Sequence, residues 1–326
     1  MSPRSGVARV ATARAGLTSV AILADGTVVA GSDAGTIEAW SLLPGNLQPR
    51  TFHLAGGGSH AHDAAVTALA TCGGGPGGEI LVSAGGDGAI VAWERLDETN
   101  TNLKNGEWRP ACKARHAHLG PVHGLAASAD GSMLASVGED GYVRVWSAPV
   151  GARGSLGGDD DASSRKHLST QTMTPLAERA GEDVRAGVGR AFCVEWCESV
   201  GAIAVGFESG DVAFLETDGI LSGIHPDGGG ENGGAAGGGS VALRTRGVVH
   251  AHADAVRSLA FHPPSRRLAS CGDDGFVCVH VGELPATTRW RPHGGEYARC
   301  VVWGEDGSAL RSGGWDGTVR SVEVGI

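Results

Sequence analysis

The chain has 326 residues, 41% of them apolar and 19% charged, which is enough apolar material for a sizeable core. Its 26 basic and 36 acidic residues give 26 − 36 = −10, a balance that argues against a protein built to neutralise nucleic-acid phosphates. Glycine is the outlier, 55 of 326 or about 17% against a usual ~7%, scattered rather than in strict triplets, so it marks turns and loops and not collagen. No stretch approaches the roughly 18 consecutive apolar residues of a membrane-spanning helix. The cysteines (Cys72, Cys112, Cys193, Cys197, Cys271, Cys278, Cys300) are odd in number and hold no C-x-x-C pair. That speaks against a disulfide framework or structural zinc, and for a reducing compartment, cytoplasmic or nuclear.

The first 24 residues carry Arg4, Arg9 and Arg14 and no acid, as a transit peptide would, but Val7-Ala8-Arg9-Val10 alternates as a strand does. From there an internal pattern recurs. It is clear at Leu81–Trp93 (LVSAGGDGAIVAW), Leu134–Trp146 (LASVGEDGYVRVW), Leu268–His280 (LASCGDDGFVCVH) and Leu310–Val322 (LRSGGWDGTVRSV). Fainter copies run over Val28–Trp40 and Ile203–Leu215. Each is a short apolar strand, a turn with Gly, then an alternating strand, because such a turn needs a positive φ that Gly adopts at little cost. An apolar run precedes each hairpin: Leu17–Leu23, Val66–Ala70, Val122–Ala126, Phe192–Trp196, Val256–Phe261 and Arg299–Trp303. Outer strands are expected between copies, for example at Pro49–Leu54 and Val241–Arg246. Six units of four strands predict an all-β propeller, one domain over 1–326.

The units resemble WD repeats. The resemblance implies a buried network in each unit, joining a His before the innermost strand, a Ser on the next, an Asp in the turn and a Trp on the third strand. The matching positions are His62, Ser83, Asp87 and Trp93; His118, Ser136, Asp140 and Trp146; His252, Ser270 and Asp274; and Ser312 and Asp316, with His293 a looser match. His280 and Val322 stand where the last two units would have Trp. Unit one has Ala34 for the Asp and Ala30 for the Ser but keeps Trp40; unit four has Ser209 and Val205; neither has the His. Loss as a set is physically sensible, since a half-satisfied buried polar network is worse than none.

The turn positions 34, 87, 140, 209, 274 and 316 are 53, 53, 69, 65 and 42 apart, where a bare unit needs ~40–45. The excess falls in polar or Gly-rich segments at 97–107, 151–181 and 217–240, expected to be flexible inserts. Closure of six units is expected if residues 7–13 supply the outer strand of the last one, which removes a sheet edge. The alternative is a seven-unit geometry with one gap that a partner segment fills by strand addition.

No zinc-protease, phosphate-loop or serine-elbow motif is present, so no catalytic residue, cofactor or metal site is assigned. The His-Ala-His triplets at 60–62, 116–118 and 250–252 read as architecture, because one His of each belongs to a buried network. The residue before the turn Asp is expected on the face around the narrower channel mouth: Asp33, Gly86, Glu139, Glu208, Asp273 and Trp315. Exposed carboxylates beside a Trp suit a protein partner with a basic anchor. The expected function is a non-catalytic scaffold or adaptor in a multiprotein complex. A ubiquitin-ligase substrate receptor is the alternative, although the Trp-Asp-x-Arg run of that subset is missing here, and a propeller hydrolase is a more distant one.

Overall fold

Short strands and Gly turns set the architecture. In the computed structural model the described residues are 15–40, 50–51, 61–73, 79–95, 108–148, 175–179, 189–217, 241–281 and 288–324. They form six sheets in chain order. The first holds β1 (Leu17–Ile22), β2 (Val28–Ser32), β3 (Ile37–Trp40) and β4 (Arg50–Thr51), and the second β5 (Val66–Cys72), β6 (Ile80–Gly85), β7 (Ile90–Arg95) and β8 (Trp108–Ala114). The third holds β9 (Val122–Ala127), β10 (Met133–Gly138), β11 (Val143–Ser147) and β12 (Pro175–Arg179), and the fourth β13 (Ala191–Cys197), β14 (Ala202–Phe207) and β15 (Asp211–Glu216). The short β16 (Val241–Ala242) then pairs in parallel with β12 at the edge of the third sheet, and β17 (Thr245–His250) completes the fourth. The fifth sheet is β18 (Val256–His262), β19 (Arg267–Gly272), β20 (Val277–Val281) and β21 (Thr288–Trp290). The sixth is β22 (Ala298–Trp303), β23 (Ala309–Gly314) and β24 (Val319–Glu323). Apart from β12 with β16, all pairs are antiparallel, as hairpin connections require.

The innermost strands lie side by side in the order β1, β5, β9, β13, β18, β22. The core is made of the junctions between sheets. Val29, Ile37 and Ala39 of the first sheet bury against Val66, Leu81 and Trp93 of the second. Val82, Ile90 and Ala92 then meet Val122, Leu134 and Trp146, and Val137, Val143 and Val145 meet Ala191, Ile203 and Val205. Ala204, Val212 and Phe214 meet Val256 and Leu268, and Cys271, Val277 and Val279 meet Ala298, Val301 and Leu310. Sheets packed front and back bury both faces of their second strands, so β6, β10 and β14 are buried along their whole length, Ser83 and Ser136 included.

Three expectations change. The outer strand of the fourth sheet is Thr245–His250 and not Val241–Arg246, because pairing with Asp211–Leu215 in this register buries Val249 and sets His250 beside Asp211. Pro175–Arg179, inside the polar 151–181 segment, is the strand that covers Val143–Trp146. Closure of the sixth sheet on the first does not occur among the described residues: β22–β24 and β1 lack the packing that every other neighbouring pair of sheets has. Residues 7–13, 97–107 and most of 217–240 lie outside the described residues.

Candidate functional site: the turn face

Each strong unit builds one hydrogen-bonded chain. In the second sheet Trp93 Nε1–H donates to Ser83 Oγ (2.9 Å), Ser83 Oγ lies 2.8 Å from His62 Nε2, and His62 Nδ1 lies 3.0 Å from Asp87 Oδ1. The third repeats it with Trp146, Ser136, His118 and Asp140 at 2.9, 2.8 and 2.8 Å. A neutral imidazole with its proton on Nδ1 satisfies every member in one direction. Burial lowers the His118 pKa against the raising effect of Asp140, which favours that neutral form. Burial alone would raise Asp87 and Asp140. The His partner and backbone N–H groups (Ala89 and Asp63, Leu119) outweigh it and hold both well below the usual carboxylate range.

The fifth sheet makes the same chain through His252, Ser270 and Asp274, and His280 stands in for the tryptophan, its Nε2 2.9 Å from Ser270 Oγ. His293 sits 3.0 Å from Asp316 and 2.9 Å from Ser312. Where the set is missing, turns are pinned otherwise. Ser32 and Thr36 hydroxyls bond at 2.7 Å in the first sheet. In the fourth, Ser209 and His250 both reach Asp211, at 2.7 and 2.9 Å. So the triplet residues His118, His250 and His252 are occupied within the fold, and His116 is exposed. Among the described residues no group of three or more His, Cys, Asp or Glu is placed to hold a metal. Burial pushes the Cys72 thiol up to about 12 and those of Cys112 and Cys278 to about 11; Cys193 and Cys197 move the same way. These five are core.

The turn face is positioned by a device that alternation does not reveal. Every innermost strand has a bulge at its second residue: Thr18, Thr67, His123, Phe192, Arg257 and Arg299 are skipped in the pairing. A bulge re-aims the skipped side chain. From the third sheet to the sixth those side chains knit the candidate residues together. Glu139 accepts from Arg190 (2.8 Å) and lies 2.9 Å from His123. Glu208 lies over the Arg190 backbone N–H at 3.4 Å. The His123 and Phe192 rings are 5.1 Å apart, and the Arg257 guanidinium lies 4.2 Å from the Phe192 centroid. Asp273, its side chain largely buried, accepts from Arg257 Nε (2.7 Å) and Arg299 (3.2 Å). Arg299 covers Trp315, whose ring is 5.0 Å from that of Tyr297.

Thus four of the five candidates, Glu139, Glu208, Asp273 and Trp315, share one arc, while Asp33 lies apart and exposed on the first sheet. The arc holds three carboxylates and three arginines, so it is locally balanced rather than acidic. His123, Arg190, Phe192, Arg257, Tyr297 and Arg299 were missed by motif reading. Their signal was positional: the residue after the first of each innermost strand, or the one just before it.

A family model described as WD domain, G-beta repeat, matches residues 111–147 and 243–280. The first match starts in the outer strand of the second sheet and the second just before that of the fourth, and each ends in the third strand of the next sheet. Those two stretches carry the WD-repeat pattern. The fold of this WD-repeat β-propeller matches a chain in a crystal structure of the mitotic checkpoint complex, with TM-score 0.62 and 18% identity over 94% of this chain and 74% of that one. It also matches the crystal structure of Sqt1 from Chaetomium thermophilum bound to the N-terminus of a ribosomal protein, with TM-score 0.67 and 18% identity over 94% of this chain and 72% of that one. Striatin-4 of Mus musculus is 27% identical over 242 residues, which is 72% of this propeller and 27% of the relative's own length. No helix among the described residues is long and apolar enough to cross a membrane.

Proposed function

We propose that this propeller is a non-catalytic scaffold or adaptor that holds another protein on its turn face. The observation that carries the reading is Trp315, 65% exposed on a turn fixed by the Trp315 N–H to Tyr297 carbonyl bond (3.0 Å) and flanked by Arg299. A large aromatic held rigidly in water is costly as surface and effective as an anchor, because little side-chain entropy is lost on contact. The knitted arc fixes the surroundings in the same way, so binding energy is concentrated in a few residues. Sqt1, which shares the fold, is bound to a protein N-terminus, which agrees with a protein ligand here. Exposed Glu208 and Asp33 would meet a basic segment of the partner; Glu139 and Asp273 hold the arginines in place.

The test is affinity capture from native extract with the wild-type chain and with Trp315→Ala combined with Glu208→Lys, both shown to melt alike. Specific proteins retained by the wild type and lost from the variant support the turn face. An unchanged set of retained proteins places the binding surface elsewhere.

A further inference from the structure

We propose that the junction between the sixth and first sheets is a docking slot for one β-sheet donated by a different polypeptide, built as a seventh unit of the same kind. The first residue of the innermost strand is fully buried in five sheets (Val66, Val122, Ala191, Val256 and Ala298, each 0%) and 54% exposed in the first, at Leu17. The first interior residue of the third strand is at most 1% exposed in five sheets (Ile37, Ile90, Val143, Val212, Val277) and 77% exposed in the sixth, at Val319. These are the two faces that meet at every other junction: Val66 lies on Gly31 and Val256 on Gly206, whereas among the described residues none of another sheet lies over the equivalent Gly313. Val20 and Ile22 extend one wall, and Val302 and the exposed thiol of Cys300 the other. The equivalent thiol of Cys193 is buried and reaches the carbonyl of Val256 in the next sheet, 3.6 Å away.

Among the described residues the sixth and first sheets do not make the contact that joins the others. The carbonyl two residues before each innermost strand closes over the preceding turn glycine: Ala64 over Gly35, Gly120 over Gly88, Gly189 over Gly141, Asp254 over Gly210 and Glu296 over Gly275. Ala15 holds that position before Leu17, yet none of the described residues lies within 4 Å of where a Cβ on Gly317 would be. The chemistry of the occupant follows from the five junctions already filled. It must offer a small or β-branched residue to Gly313, an apolar face to Val302 and Val319, and a second one to Leu17, Val20 and Ile22. One strand alone does not make a sheet with two apolar faces, so the occupant is a whole sheet.

The test uses Cys300 as a reporter, with Cys300→Ser to identify its signal. In the full chain a maleimide dye should label Cys300 rapidly while the core thiols stay silent. Adding a peptide that copies residues 251–290, the fifth sheet with its leading loop, should suppress that labelling. Fusing the same segment after residue 326 should suppress it and raise Tm. Leu17→Arg should leave the Tm of the free chain unchanged and abolish both protections. Three results overturn the proposal: Cys300 silent in the chain alone (regained on removing residues 1–14, or on dilution if a second copy fills the slot), Leu17→Arg unfolding the chain, or the fused sheet leaving Cys300 as reactive as before.

Discussion

The backbone N–H of His62 donates to the carbonyl of Gly35, 3.1 Å away, across the boundary between the first and second sheets. The imidazole of the same residue is tied to Asp87 and Ser83 of the second sheet. His118 repeats this toward Gly88 (3.2 Å) and His252 toward Gly210 (3.0 Å). The polar network is therefore a rivet between neighbouring sheets as well as an anchor for a turn, and its loss should loosen a junction.

Asp140→Ala removes the acceptor of His118 Nδ1–H and of the Leu119 N–H. A buried donor left without a partner costs about 1–3 kcal/mol. Urea unfolding should show a loss of that size, and an unchanged midpoint would contradict the network's structural role.

Trp146→Phe keeps most of the packing and removes only the N–H that donates to Ser136. The expected loss is about 1 kcal/mol. His280→Phe should cost about as much, since His280 supplies the equivalent bond to Ser270. A neutral His280→Phe would mean that His280 does not replace the tryptophan.

Much of this was legible because the backbone dictates it. Gly35, Gly88, Gly141, Gly210, Gly275 and Gly317 all have φ between 70° and 85°, so the repeated Gly gave away every hairpin. His293 matched poorly by spacing because its loop to Ala298 carries one more residue than His62 to Val66, absorbed at Gly294 and Gly295, both of positive φ. What stayed hidden depends on partners distant in sequence. Nothing near His280 announces that its Nε2 faces Ser270. The arginines of the arc become visible only when the bulges aim Arg257 and Arg299 at Asp273 from two different sheets. The open junction shows only when Leu17 is compared with its five buried counterparts.

Glu195 sits on β13 with its carboxylate accepting from Phe261 N–H at 3.3 Å, and burial raises its pKa to about 7 despite that bond. The folded chain thus holds this proton more tightly than the unfolded chain, whose value is the ordinary 4.5. Its contribution is fully present below about 4.5 and is lost as pH rises through about 7. Relative to Glu195→Gln, the wild type should lose stability between those values. Parallel pH curves for the two proteins would contradict the assignment. The turn aspartates act in the opposite sense and at lower pH, because their folded values are depressed.

Asp273→Lys leaves Arg257 and Arg299 facing a third cation and should cost about 2–3 kcal/mol. Glu208→Lys, on an exposed side chain, should stay within about 0.5 kcal/mol. Equal Tm shifts for the two would show that the arc is not held together as described.

Hydrogen exchange on the propeller with and without a captured partner tests the scaffold reading most directly. Added protection should fall on the turns around Glu139, Glu208, Asp273 and Trp315 and on the bulges at His123, Phe192, Arg257 and Arg299. Protection confined to the outer strands, with those turns unchanged, would contradict binding at the turn face.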